Sequence, residues 1–205
     1  MPHDETFRRI LLTAVIVTVP IAAFFRIRSQ LSGETLDRRQ EGWFILLSLR
    51  PVAFVWLGAI VLFLVDPRRM AWSALSLPVV WRWAGVIIGG AALLLLVWTF
   101  HSLGRNLTDT VVTRRDATLV TQGPYRFMRH PFYAAFLGSV LANGLATANC
   151  FITITGLTVW LLLYIRIPRE EARLIARFGD DYRVYMRTTG RFWPRFGRRN
   201  SPDGA

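Results

Sequence analysis

Residues 83–100 have the sequence Trp-Ala-Gly-Val-Ile-Ile-Gly-Gly-Ala-Ala-Leu-Leu-Leu-Leu-Val-Trp-Thr-Phe, eighteen residues without a charged side chain. A helix of this length is about 27 Å long, close to the ~30 Å thickness of the hydrocarbon core of a bilayer. The run therefore predicts a transmembrane helix, and it sets the class of protein to which the chain belongs.

Four further apolar runs accompany this one, at 10–25, 43–65, 132–145 and 150–165. The last two are short, and the small polar segment 146–149 joins them, which predicts a tight helical hairpin. Together the runs predict an all-α integral membrane protein with about five transmembrane helices. We expect a single membrane domain over residues 1–205, with the N-terminal helices in 1–96.

The composition favours a membrane surface over nucleic acid as the partner of the charged residues. The chain is 53% hydrophobic, its net charge is +12, and all 25 basic residues are arginines. These arginines fall between the apolar runs, where anionic lipid head groups are the natural counter-charge. One cysteine, Cys150, is too few for a disulfide framework or a thiolate cluster within one chain. The three histidines and the acidic residues lack metal-ligand spacing, so we expect no metal.

The distribution of arginines predicts the orientation in the membrane, because positively charged loops stay in the cytoplasm. The segments 26–42, 101–131 and 166–205 contain nineteen arginines, whereas the segments on the opposite side contain five. We therefore expect the N-terminus outside and the C-terminus in the cytoplasm. The exclusive use of arginine is typical of a bacterial genome rich in G and C, which indicates a bacterial inner membrane.

A polar segment precedes the predicted hairpin, and residues 119–133 have the sequence Leu-Val-Thr-Gln-Gly-Pro-Tyr-Arg-Phe-Met-Arg-His-Pro-Phe-Tyr. Gly123-Pro124 predicts a turn. Pro131 disfavours helix at His130 and predicts the start of the next helix. Arg129 is interpreted as a head-group anchor, whereas His130 offers both a ring face and a hydrogen-bonding edge.

A second polar segment follows the hairpin and contains two adjacent acidic residues, Glu170 and Glu171. Arg166 lies one helical turn before Glu170, which predicts either an exposed ion pair or a site for a cationic small molecule. Gly179 predicts a break in the helix. We expect residues 191–199, rich in arginine and aromatic residues, to contact the membrane surface, and residues 198–205 to form a disordered tail.

Taken in order around an apolar hairpin, these motifs resemble the isoprenylcysteine carboxyl methyltransferase family, with parts shared by phospholipid N-methyltransferases. The resemblance covers residues 97–194. It implies an S-adenosyl-L-methionine pocket on the cytoplasmic side, closed by the loop before the fourth helix and the C-terminal helical segment. It also implies that the donor contacts ten residues: Ala117, Thr118, Leu119, Val120, Tyr125, His130, Pro131, Phe132, Tyr133 and Glu170.

The resemblance further implies that Arg166 faces the methyl acceptor, a lipophilic molecule that enters from the bilayer. The expected acceptor is the carboxylate of a prenylated cysteine or a similar isoprenoid thioether. The short acidic run Glu170-Glu171 and the presence of Arg105 depart from the pattern of some members and leave the acceptor open. Three alternatives remain: a phospholipid amine N-methyltransferase, an NADPH-dependent membrane lipid reductase with a similar Arg-His-Pro-x-Tyr run, and a non-enzymatic scaffold.

Overall fold

A computed structural model of the chain describes residues 2–30, 43–104 and 118–195. The described residues form six α-helices: α1 Pro2–Gln30, α2 Trp43–Val65, α3 Val79–Leu103, α4 Pro131–Thr147, α5 Cys150–Phe178 and α6 Asp180–Thr188. Two short 3₁₀ turns lie at Pro67–Ser73 and Gly123–Arg126. The predicted all-α class is confirmed. Ala117, Arg105 and the predicted tail 198–205 lie outside the described residues.

Four of these helices are long and apolar enough to cross a membrane: α1, α2, α3 and α5. The prediction of a multi-pass membrane protein is confirmed. The fifth predicted span is α4, which has 17 residues and is shorter than the ~20 residues that usually cross the bilayer. Half-buried and buried side chains dominate α4, so this helix is the inner arm of the hairpin.

The helix ends follow from local sequence. Pro131 begins α4. The hairpin turn is made by Ala148, in the left-handed conformation at φ 49°, and by Asn149, whose side chain accepts a hydrogen bond from the backbone N–H of Ile152. Gly179, at φ 58°, separates α5 from α6 as predicted. The apolar run at 150–165 continues as one helix through Pro168 to Phe178, so the acidic pair lies on α5 itself.

Helices α3 and α4 approach each other closely through small residues. A Cβ atom at Gly85 would lie 2.7 Å from the Cβ of Leu145, and one at Gly138 would lie 3.0 Å from the Cβ of Ala92. Small residues allow helix backbones this close in membranes, where packing must replace the hydrophobic effect as the force between helices. On the other side of the hairpin, α5 packs on α2 through a buried cluster that includes Trp56, Val140 and Ile152.

The bundle has two ends that differ in character. At the turn end, the start of α3 meets the α4–α5 turn, since Arg82 donates to the carbonyl of Ala146 at 3.0 Å. At the open end, α1, α3 and α4 meet through the rings of Phe25, Phe100 and Phe132. The described flanks of all three arginine-rich segments lie at the open end. This agrees with five helices that run in alternating directions, because such helices place these three segments at the same end.

Candidate active site

At the open end, the first turn of α4 contacts α5 from its middle, at Trp160, to its C-terminal part, at Glu170. The hydroxyl of Tyr133 donates to Glu170 Oε2 at 2.6 Å, and Trp160 Nε1 donates to the carbonyl of Tyr133 at 3.1 Å. The start of α4 at Pro131 fixes which way Tyr133 faces. Glu170 is half-buried, and its carboxylate lies against α4.

The neighbouring carboxylate, Glu171, is 4% exposed and is surrounded by three potential cations. Arg129 Nη2 lies 3.0 Å and His130 Nε2 3.3 Å from Oε1, and Arg191 Nη2 lies 2.7 Å from Oε2. A buried carboxylate requires such partners because the loss of water costs several kcal/mol. The hydrogen bond to Glu171 raises the pKa of the Arg191 guanidinium. The two adjacent glutamates therefore have separate sets of partners.

A short segment after α6, which we call the C-terminal strap (residues 189–193), lies along the start of α4. The backbone N–H groups of Arg129 and His130 donate to the carbonyls of Gly190 at 2.9 Å and Arg191 at 3.0 Å. The Arg129 guanidinium also donates to the carbonyls of Thr189 and Met186. Hydrogen bonds from both backbone and side chain therefore hold the strap at the site.

The strap completes a cluster of aromatic rings at the open end. The ring of Phe192 lies 6.0 Å from Tyr164, 6.2 Å from Trp160 and 6.3 Å from His130 between centroids. The rings of His130 and Tyr133 are 5.4 Å apart. Aromatic faces attract cations through the ring quadrupole, and two carboxylates lie beside this cluster. The arrangement suits a flat or positively charged ligand.

Tyr125, in the turn before α4, is tied to α6 because the hydroxyl of Tyr185 donates to its carbonyl at 2.6 Å. Burial and the negative charge of Glu170 raise the pKa of the Tyr125 phenol. Burial likewise raises the pKa of Tyr185. Both phenols therefore stay protonated at neutral pH and can donate hydrogen bonds.

Arg166 is buried on α5, one turn before Glu170. It lies within electrostatic range of Tyr133 and lines a cavity of about 230 Å³ between α2 and α5. The other lining residues are Ser48, Leu49, Leu162, Ile165, Pro168 and Arg169. An opening lined by two arginines, a serine and four apolar residues can receive the polar head of a lipid-like molecule.

The structure brings part of the predicted donor set together. His130, Tyr133 and Glu170 meet at the open end, and Tyr125 lies within electrostatic range of Glu170. Pro131 is buried, and Phe132 stacks on Phe100 at 6.1 Å. Thr118, Leu119 and Val120 precede the Gly123 turn in an irregular segment, Thr118 exposed and the other two half-buried. That these residues bind a donor stays a prediction.

One interpretation of an arginine was wrong. Arg129 is not a head-group anchor, because its guanidinium is buried against Glu171 and donates to the strap carbonyl of Thr189. Arg191 and Phe192 fold back onto Glu171 and His130, which was not predicted, and contact of residues 191–199 with the membrane surface stays a prediction. Local sequence cannot reveal a fold-back that depends on pairing between residues about 60 positions apart.

Several residues at the site were not predicted. Trp160 and Tyr164 share a face of α5 with Glu171, at the spacing i, i+4 and i+11, and this periodicity was the available signal. Arg191 and Phe192 gave no comparable signal. Within the described residues, no group of three or more His, Cys, Asp or Glu side chains is placed to hold a metal ion; the lack of a metal requirement stays a prediction.

Comparison with known proteins gives one family. Residues 83–176 match the isoprenylcysteine carboxyl methyltransferase (ICMT) family. In structure, the chain is similar to the eukaryotic intramembrane Ras methyltransferase ICMT, with a TM-score of 0.52 and 20% identity, over 78% of this chain and 54% of that one. At this identity the structural likeness supports the fold alone.

Curated relatives are of three kinds. The chain is 32% identical to the cobalt-zinc-cadmium resistance protein CzcN of Cupriavidus metallidurans, over 56% of this chain and 54% of the relative. It is 34% identical to the protein-S-isoprenylcysteine O-methyltransferase of Schizosaccharomyces pombe, over 41% and 37%. It is 25% identical to methanethiol S-methyltransferase 2 of Bradyrhizobium diazoefficiens, over 93% and 77%. The chain thus spans about half the length, or less, of the first two.

Proposed function

We propose that the chain transfers a methyl group from S-adenosylmethionine to a lipophilic acceptor in the membrane, because residues 83–176 match the ICMT family. The observation that supports this most directly is the contact between Tyr133 and Glu170 beside an aromatic cluster. It provides a half-buried negative charge and several ring faces within one small region.

These residues fit a donor of this chemistry. S-adenosylmethionine supplies a methyl group on a positively charged sulfonium, which a nucleophile can attack without prior activation. Glu170 would bind a cationic group of the donor, and the ring of Tyr133 would offer a cation–π contact, with His130 beside it. Tyr125, Pro131, Phe132 and the segment from Ala117 to Val120 would complete the donor site, as the family resemblance implies.

Arg166 would hold the acceptor. Its planar guanidinium can bind a carboxylate at two points, which fixes the orientation of the nucleophilic oxygen. A carboxylate is already ionised at neutral pH, so the site needs no general base. Catalysis would then rest on alignment and on the exclusion of water, and well-oriented reactants can gain about 7–11 kcal/mol in this way.

The position of the cavity supports an acceptor with an apolar tail. Its volume of about 230 Å³ is below the ~300–1,000 Å³ of a typical ligand pocket, which suits a head group more than a whole lipid. Leu161 and Ile165 on the adjoining face of α5 are exposed, so a tail would extend from the cavity into the bilayer. We therefore propose the carboxylate of a prenylated cysteine, or a similar isoprenoid thioether, as the acceptor.

A small thiol is the second candidate acceptor. It is favoured by the similarity to methanethiol S-methyltransferase 2, which extends over 93% of this chain. A thiol would not need the two-point contact of Arg166. The two candidates therefore differ in whether an arginine is required at this position.

The described flanks of the arginine-rich segments lie at the open end, and we propose that this end faces the cytoplasm of a bacterial inner membrane, where a soluble donor is available. The N-terminus would then lie outside and the C-terminus inside. The donor would enter from the cytoplasm and the acceptor from the bilayer.

The experiment is transfer of labelled methyl from S-adenosylmethionine by the purified protein in proteoliposomes. We expect transfer to a prenylated cysteine analogue and little to phosphatidylethanolamine. Transfer to methanethiol alone would select the second candidate, and transfer to the amine lipid alone would refute both. Binding of NADPH, with no transfer to any acceptor, would refute methyl transfer itself and favour a lipid reductase.

A further inference from the structure

The two adjacent glutamates on α5, Glu170 and Glu171, have different partners, which the sequence does not reveal. Glu170 contacts Tyr133, whereas Glu171 lies among Arg129, His130 and Arg191. The three partners belong to two separate parts of the chain, because Arg129 and His130 precede α4 and Arg191 lies in the C-terminal strap. One buried carboxylate therefore joins three segments of the molecule.

We propose that Glu171 is a positioning residue that holds the C-terminal strap closed across the donor site. This inference rests on the proposed function, since it assigns the strap to the same site. Arg191 is the charged link, because its guanidinium reaches both oxygens of Glu171, at 2.7 Å and 3.4 Å. Arg129 is the second link, because it contacts Glu171 and the strap carbonyl of Thr189 together.

Closure of the strap places Phe192 against the aromatic cluster. With Phe192 centred 6.0 Å from Tyr164 and 6.2 Å from Trp160, the rings form a continuous wall beside Tyr133. A donor bound between this wall and Glu170 would be shielded from water. Release of the strap removes Phe192, opens that wall and frees the donor.

The bend of the strap also depends on its glycine. A Cβ atom at Gly190 would collide with the carbonyl oxygen of Trp193, and backbone cannot move aside as a flexible side chain can. Gly190 therefore permits the turn that directs Arg191 toward Glu171. The side chain of Thr189, immediately before it, is buried when the strap is closed.

Thiol labelling at position 189 measures closure without any need for methyl transfer. The reporter is Thr189→Cys in a Cys150→Ser background, in proteoliposomes with a maleimide. Because labelling of a buried thiol tracks the population of the open state, Glu171→Gln should raise the labelling rate at least about tenfold, the loss expected for one charge-assisted hydrogen bond. Glu170→Gln, the matched control, should change it less than about twofold.

A second pair of variants avoids any folding defect of Glu171→Gln. Arg191→Gln removes the link from the strap side and leaves Glu171 paired with Arg129 and His130, and it should raise labelling in the same way. Arg183→Gln, which breaks an exposed pair with Asp180, should not. An equal rise in all four variants, or a rise in none, would overturn the role of Glu171.

Ligand protection links the strap to the donor site. If S-adenosylhomocysteine binds the closed state, a concentration of about 100 times its Kd should slow labelling of the reporter about 100-fold. Calorimetric binding without any protection would overturn closure over the site and leave the proposed function standing. No calorimetric binding at all would overturn the proposed function and closure over the donor with it, while the labelling variants would still decide whether Glu171 holds the strap.

Discussion

The two ends of the α4–α5 hairpin both bury polar groups, but they satisfy them differently. At the turn end, Asn149 donates to the carbonyl of Met70 and to Ser73 Oγ and caps α5. Arg82 donates to the carbonyl of Ala146 and pairs with Asp4 at 2.6 Å. At the open end, Glu171 is held by side-chain cations, and Glu170 by a phenol.

This difference indicates that the polar groups at the turn end stabilise the fold, whereas those at the open end can bind a ligand. The carbonyls of Met70 and Ala146 belong to elements packed into the bundle, so the side chains of Asn149 and Arg82 that are bonded to them fix the helices and have little freedom to bind anything else. Side-chain partners can rotate away or be replaced by a ligand. The open end also has the aromatic rings and the cavity, and perturbed groups beside a cavity are typical of functional sites.

The largest expected difference between the two ends is the side of the membrane on which each one lies. Cys150 follows the hairpin turn and is half-buried, and it is the single thiol in the chain. Because the arginine-rich segments should remain cytoplasmic, an impermeant maleimide should label Cys150 in intact cells. Cys150→Ser is the control for background. Labelling confined to inverted vesicles would exchange the two ends and place the candidate site outside.

The next largest effect should be a loss of stability when a polar residue at the turn end is substituted. Asn149→Ala removes a helix cap, worth about 0.5–2 kcal/mol, and leaves buried groups unsatisfied, at about 1–3 kcal/mol. We expect a loss of about 3 kcal/mol in the free energy of unfolding, measured by denaturant titration in detergent micelles.

The control for this prediction is Ser73→Ala, which leaves the cap and the bond from Asn149 to Met70 intact. It should cost about 1 kcal/mol. If Asn149→Ala lowered the affinity for S-adenosylhomocysteine while the unfolding transition stayed unchanged, the separation of the two ends would be wrong.

The helices illustrate how much of the fold follows from sequence. Apolar runs predicted the positions of five helices, because a bilayer demands long uncharged segments. Pro131 and Gly179 predicted two helix boundaries through their backbone constraints. Helix was predicted before Gly179, but its unbroken continuity with the apolar run at 150–165 was not, because the charged residues end that run although the helix itself continues.

The open end illustrates what sequence patterns leave out. Tyr133 and Glu170 were expected at one site from the family resemblance, and they are in contact. The strap was not expected, because its docking depends on Glu171 and on backbone pairing with Arg129 and His130. Such contacts are set by the three-dimensional path of the chain, and neither periodicity nor turn residues encode it.

Within the open end, we expect the loss of a charge to have a larger effect at the donor site than at the acceptor site. Glu170→Gln keeps an oxygen that can accept from Tyr133 but removes the negative charge. Loss of a charge-assisted hydrogen bond costs about 1.5–3 kcal/mol, so affinity for S-adenosylhomocysteine, which retains an ammonium group, should fall roughly 10- to 150-fold. Isothermal titration calorimetry of both proteins measures this directly.

Tyr133→Phe sharpens the same test, since it keeps the ring and removes the hydroxyl that orients Glu170. Its effect should be smaller than that of Glu170→Gln. An unchanged affinity in Glu170→Gln would leave Glu170 as a structural partner of Tyr133 with no role in binding the ligand.

The smallest expected effect, and the most specific, is at Arg166. Arg166→Lys preserves the charge but replaces a planar fork with a single ammonium, so two-point contact with a carboxylate is lost. Loss of one contact of about 1.4 kcal/mol corresponds to about tenfold in rate. We expect methyl transfer to a prenylated cysteine analogue to fall about tenfold, while affinity for S-adenosylhomocysteine stays within about twofold.

Arg169→Lys is the matched control, because Arg169 lines the same cavity from an exposed position, and it should leave the rate nearly unchanged. If Arg166→Lys transferred methyl to the carboxylate acceptor at the full rate, Arg166 would act through its charge alone, and the proposed two-point contact with the carboxylate would be wrong.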